Sequence, residues 1–107
     1  MGGSEDRPFR LSYSVLVGKN LRALCDRALA RGLDEQVAAA VTTIVERLEA
    51  DPFQLGEPKY NLPVMGLVVY VGIVEPLTVE FAVDEKNRIV YIKEFRPLTG
   101  RNLDPEE

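Results

Sequence analysis

The spacing of apolar residues changes once along this chain, and that change limits the folds open to it. From Lys19 to Ala50 apolar residues recur every three or four positions, whereas beyond Pro63 they recur every second position or run together. The first spacing is the stripe of an amphipathic helix and the second is that of a strand. Leu21, Leu24, Cys25, Ala28 and Leu29 form one helical stripe, and Gly32 is a fitting stop after it. Asp34 is the expected cap of a second helix, which carries Val37, Val41, Ile44, Val45 and Leu48 before Asp51-Pro52 ends it. Two helices joined by about three residues read as an antiparallel hairpin.

Strands flank the hairpin. Phe9 to Val15 alternates, with Phe9, Leu11, Tyr13 and Val15 as its expected apolar side and Gly18 as a break. Asp51 to Pro63 holds Pro52, Gly56, Pro58 and Pro63 and reads as mostly loop or edge structure. Three strand-like runs follow at Leu67–Ile73, Leu77–Val83 and Arg88–Phe95, with Glu75-Pro76 and Asp84–Asn87 as turns. Because each helix has one apolar stripe, both are expected on one face of the sheet. The expected architecture is a two-layer α+β domain in the order β-α-α-β-β-β, ending in a three-stranded antiparallel meander. Residues 1–8 read as a flexible leader, 9–98 as a single domain and 99–107 as an acidic tail.

Composition narrows the chemistry. The chain has no His, so Ser-His-Asp triads, Cys-His pairs and imidazole ligands or bases are excluded. Its single cysteine, Cys25, makes no internal disulfide and, lying on the helical stripe, reads as a small core residue. Neither a metal site nor a cofactor is indicated by the scattered carboxylates. The longest apolar run is far below the roughly 20 residues of a spanning helix, and Met1 to Asp6 is polar. A cytoplasmic protein, with no membrane partner, is therefore expected. The net charge of −4 argues against general attraction to nucleic acid. Residues 86–101 depart from this, with Lys86, Arg88, Lys93, Arg96 and Arg101 against Glu94 alone, a local +4. Strand alternation puts Tyr91, Lys93 and Phe95 on the side opposite Val90 and Ile92, facing an open groove. Tyr91 and Phe95 there are candidates for stacking on a base.

In order and spacing, the chain resembles the RelE/ParE superfamily of small bacterial toxins. The resemblance is carried by Phe9–Val15 leading into Leu21 and Leu24, by Ile44 to Pro52 with its closing Asp-Pro, by Leu62 and Gly66–Tyr70, and by the strand–turn–strand from Val79 to Ile92. It spans about residues 9–98. The resemblance implies the toxin half of a two-component toxin–antitoxin pair, with a cognate antitoxin as partner. It also implies ribosome-associated cleavage of messenger RNA by attack of a ribose 2′-hydroxyl on the adjacent phosphate, a reaction the family runs with Lys, Arg and Tyr. Carried over by position, Lys59, Tyr60, Lys93 and Arg96 are the implied catalytic residues. Lys86, Arg88, Tyr91, Phe95 and Arg101 are the implied contacts to RNA or a partner. The family's basic second strand is absent here, since Gly66 to Gly72 carries no Lys or Arg, and Glu80 is expected to point into the same groove. A non-catalytic toxin-fold binding protein, gyrase-inhibitor-like or a degenerate relative, is the alternative. Leu67, Val69 and Val71 are expected against the helices, with Val68, Tyr70 and Ile73 apolar on the other side. A strand apolar on both faces needs cover, and a partner, a second copy of the chain or the C-terminal tail folding back is expected to supply it.

Overall fold

The computed structural model describes residues 7–63 and 65–98. Eight elements follow one another: β1 (Arg10–Ser12), α1 (Val15–Ala30), α2 (Asp34–Ala50), α3 (Pro52–Leu55), β2 (Gly56–Leu62), β3 (Leu67–Val74), β4 (Leu77–Asp84) and β5 (Ile89–Pro97). They form one five-stranded sheet in the order β1-β5-β4-β3-β2, with β1 parallel to β5 and every other pairing antiparallel. The two long helices cover one face. Between the layers lie Leu24, Ala28, Val37, Ile44 and Leu48 from the helices, and Leu77, Val79, Phe81, Val90 and Ile92 from the sheet. Each large side chain buried there contributes roughly 1.5–3 kcal/mol.

The two-layer α+β class stands, and the structure adds to it. The proline-rich stretch after Asp51 holds a short helix and then β2, so the meander has four strands. Proline lacks an N–H to donate, and β2 sits at the sheet's edge, where that lack is tolerated. Asp51 closes α2 and then caps α3 by accepting the Phe53 N–H at 3.2 Å. At its start β1 is shorter than the alternation predicts. Ser14 keeps an extended backbone but caps α1 by accepting the Val17 N–H at 3.3 Å, so α1 starts at Val15 and takes in Gly18. Tyr13 and Val15 are consequently exposed, whereas Phe9 and Leu11 pack inward.

The helical stripe is narrower than the sequence suggests. Val17, Leu21, Leu24 and Ala28 face the core, while Cys25 and Leu29 lie in solvent, so Cys25 is not a core residue. Gly32 ends α1 as expected. Its φ of 73° lets the Leu33 N–H reach Ala28 O at 2.7 Å and its own N–H reach Leu29 O at 3.2 Å, a doubly bonded helix end. Asp34 lies inside the first turn of α2 and Leu33 holds the cap position. There the carboxylate favours the helix dipole without bonding a backbone amide.

On β3 the faces of Val69, Tyr70 and Val71 are the reverse of those predicted, whereas Ile73 lies on the open face as expected. Tyr70 and Val74 turn to the helices, with the Tyr70 ring stacked on Phe81 at 5.7 Å, and Val69, Val71 and Ile73 lie on the open face. A continuous apolar strand gives no alternation from which to choose a side. Helix α3 fixes the choice. Leu55 crosses directly over Gly72, whose missing side chain makes room for it, and a Cβ at that position would stand 2.7 Å from the Leu55 Cγ.

Candidate functional site

Two irregularities in the strand ladders shape the open face. Along β2, Pro58 pairs with Tyr70 and Tyr60 with Val69, so Lys59 is an extra residue with no partner on β3. Along β5, Ile92 pairs with Phe81 and Glu94 with Glu80, so Lys93 is likewise extra. A bulge of this kind bends the strand and redirects a side chain. Both bulged residues here are lysines, and both reach the same carboxylate on the strand between them. The Lys59 ammonium donates a hydrogen bond to Glu80 Oε2, and the Lys93 Nζ lies 3.8 Å from Glu80 Oε1.

Glu80 is the buried charged residue of this face, its side chain 6% exposed against 43% for Lys59 and 49% for Lys93. Its carboxyl is held below the usual carboxylate range, chiefly by the Lys59 hydrogen bond, against the opposing cost of burial. The charges of Lys59, Lys93 and Arg96 add to the effect. Lys93 is pushed above the ordinary lysine value, chiefly by the neighbouring Tyr60 hydroxyl and then by the charges of Glu80 and Glu94. Lys59, Tyr60, Glu80 and Lys93 thus form one connected cluster. Arg96 stands at its margin and pairs with Glu94 at 3.1 Å.

The bulge on β5 also corrects an expectation. Phe95 does not line the groove. The extra residue resets the alternation, and Phe95 turns into the core, 3% exposed. Its N–H, lost to the ladder, donates to Asn20 Oδ1 of α1 at 2.8 Å. Tyr91 precedes the bulge and stays exposed on the open face, in a row across the sheet with Ala82, Val69 and Tyr60.

Of the remaining basic residues, Lys86 and Arg88 do not gather here. Lys86 is exposed in the β4–β5 turn, six residues along from the cluster's carboxylate. Arg88, at a φ of 55° in the same turn, lays its guanidinium 4.1 Å over the Phe9 ring and donates to Arg7 O, a bracing role at the sheet's other edge. Arg101 lies outside the described residues, as do the C-terminal tail and residues 1–6. Among the described residues, the window's cations are therefore divided among separate places. Sequence reasoning gave Glu80 only an opposing role, although Glu80 organises the cluster. An isolated acid between apolar neighbours in the middle of a strand, Val79-Glu80-Phe81-Ala82-Val83, is the signal that marks it.

No helix among the described residues is long and apolar enough to cross a membrane. No three His, Cys, Asp or Glu side chains among them are placed to hold a metal ion.

A helical hairpin covering one face of this five-stranded sheet is the RelE-like fold, the α+β architecture seen in proteins of toxin–antitoxin complexes. Two solved structures carry that statement. A chain of the toxin–antitoxin complex RelBE2 from Mycobacterium tuberculosis matches at a TM-score of 0.63 and 15% identity, over 85% of this chain and 92% of its own length. A chain of the archaeal RelE–RelB complex from Pyrococcus horikoshii OT3 matches at a TM-score of 0.56 and 18% identity, over 87% of this chain and 98% of its own. No protein-family model and no curated protein matches the sequence.

Proposed function

We propose that this chain is the toxin component of a toxin–antitoxin pair and stops translation by cleaving messenger RNA on the ribosome, using the open face of its sheet. The observation that carries the reading is the convergence of both bulge lysines, Lys59 and Lys93, on Glu80 beside Tyr60. Cleavage by a 2′-hydroxyl needs an acceptor for its proton, a donor for the departing 5′-oxygen and positive charge at the phosphate. Glu80, held ionised, is the acceptor once the half-exposed Lys59 moves from the carboxylate to a phosphate oxygen. Lys93, held protonated, gives its proton to the 5′-oxygen as the P–O5′ bond breaks. The products are a 2′,3′-cyclic phosphate and a 5′-hydroxyl, and Arg96 is the phosphate clamp. Apolar surface at Val71 and Ile73 on the same face suits cover by an antitoxin segment or a second copy of the chain.

Expression in a growing bacterium, with primer extension across abundant messages, tests the reading. Growth arrest with cleaved messages is expected, and the double change Lys93→Ala with Arg96→Ala should remove both. Normal growth with intact messages at high expression rejects it. One observation favours a second, non-catalytic reading: every cation of the cluster already faces a carboxylate, Lys59 and Lys93 at Glu80 and Arg96 at Glu94. Arrest that persists in the double variant, with messages intact, supports the binder.

A further inference from the structure

Beside the lysine–glutamate cluster, where β1 and the start of α1 meet β5, lies an open pocket of about 410 Å³. The buried Val17 and Ile92 form its floor. Tyr13 and Tyr91 are its aromatic residues, and Ser12, Ser14 and Lys93 complete the lining. Ser12 and Tyr91 are partners in the β1–β5 ladder, so one aromatic wall is anchored in the sheet. Tyr13, by contrast, follows the last residue of β1 and is 64% exposed. A large ring held at that exposure has no packing reason of its own there.

We propose that this pocket is a nucleobase subsite, which seats the base attached to the phosphate that Lys93 holds. The proposal rests on the RNA-cleaving reading of the neighbouring cluster and adds where the substrate's base goes. Lys93 belongs to both places: its ammonium faces Glu80, and its side chain lines the pocket. A phosphate near that ammonium therefore puts its own ribose and base within reach of the pocket. Base recognition by stacking needs an aromatic face, an apolar floor and a cation at the phosphate end. All three are present. The volume lies in the range of small-molecule sites, and none of the lining residues is acidic. Two hydroxyl groups at the rim, of Ser12 and Tyr13, are free to read a base edge, whereas Ser14 Oγ is engaged in capping α1. An acidic peptide bound against Tyr13 and Lys93 is the competing occupant, and the test separates the two.

Amide chemical shifts of the isolated protein, titrated with each ribonucleoside monophosphate and separately with inorganic phosphate, provide the test. Phosphate is expected to move Lys59, Lys93 and Arg96. Nucleotides should move these and also Ser12, Tyr13, Ser14 and Tyr91. Tyr13→Ala should weaken nucleotide binding at least about fivefold, the lower end of a lost stacking contact, without changing phosphate binding. Tyr13→Phe should retain it. Nucleotide shifts confined to the residues that phosphate moves overturn the subsite, as does an unchanged affinity in Tyr13→Ala. Capture of an acidic peptide by a pocket that ignores nucleotides overturns it as well. Nucleotide binding in the pocket without any message cleavage removes the nuclease reading and keeps the subsite. Cleavage whose base preference is untouched by Tyr13→Ala, with no pocket shifts, does the reverse.

Discussion

Replacing Glu80 with Gln keeps the shape of the side chain and removes its charge, so it separates what the carboxylate does for the fold from what it does for an anion. For the fold, two ion pairs are lost, but both lysines are about half exposed and water re-solvates them. The large cost of orphaning a buried charge does not arise, because the groups left behind are not buried. Each screened pair contributes about 0.5–1 kcal/mol, and relief of the carboxylate's burial offsets part of that. The expected loss at neutral pH is about 1 kcal/mol, or roughly 4–8 °C in Tm for a domain of this size. Because Lys59 and its neighbours lower the Glu80 pKa in the folded state, this stability is complete above the unfolded glutamate pKa and is lost as pH falls through the folded one. The Tm gap between the two proteins should therefore close on acidification.

For an anion the change runs the other way. A carboxylate about 6 Å from a bound phosphate costs roughly 3 kcal/mol at an effective dielectric near 20 and under 1 kcal/mol in bulk water. On a half-exposed face an intermediate value of about 1.4 kcal/mol, or tenfold, is expected. Anisotropy with a 2′-deoxy-substituted oligonucleotide between 50 and 200 mM salt, conditions on the order of those that resolve counterion release, should show tighter binding and a salt slope steeper by about 0.7. Cleavage should fall despite the tighter binding, by about 100-fold or more, because the acceptor for the 2′-proton is gone. Unchanged affinity and slope would falsify the electrostatic account of the cluster. Tighter binding with undiminished cleavage would remove Glu80 from the chemistry alone.

Asn20→Ala should destabilise the protein by about 1–3 kcal/mol, since it strands the Phe95 N–H that the bulge takes out of the ladder; hydrogen exchange at that amide should accelerate more than at its neighbours. Gly56→Ala puts a Cβ 2.6 Å from Phe81 Cζ and 3.0 Å from Tyr70 Cβ, and a loss of about 1–3 kcal/mol in denaturant titrations is expected. Cys25 should react with a thiol reagent in the folded protein at nearly the rate of the unfolded chain, because it is exposed; protection until unfolding would put it back in the core.

Periodicity carried the layers of this fold well and its irregularities poorly. Val37, Ile44 and Leu48, or Val79, Phe81 and Val83, are buried as their spacing requires. β2 was hidden because its prolines and glycine are turn signals in isolation, and only an edge position makes them acceptable in a strand. Phe95 was misplaced because a two-residue count cannot see an inserted residue. Tyr70 and Val69 were exchanged because a strand apolar throughout contains no phase. The family resemblance implies Lys59, Tyr60 and Lys93 by position, and they stand in one cluster, with Arg96 at its margin and Arg88 elsewhere. Glu80 was visible only as an obstacle, since the sequence does not show that two lysines close on it.

The bulges have a consequence for how such a site is gained or lost. Lys59 and Lys93 are supernumerary in their ladders: Pro58 and Tyr60 already answer Tyr70 and Val69, as Ile92 and Glu94 already answer Phe81 and Glu80. Deleting either lysine leaves two strands that alternate without interruption, with Tyr60 still outward and Phe95 still inward. A single-codon deletion at either position would therefore keep the sheet while discarding a cation, and a single-codon insertion would restore it. Few changes of chain length fall in a strand without shifting everything beyond them. Here the scaffold and the chemistry are separable, one residue at a time.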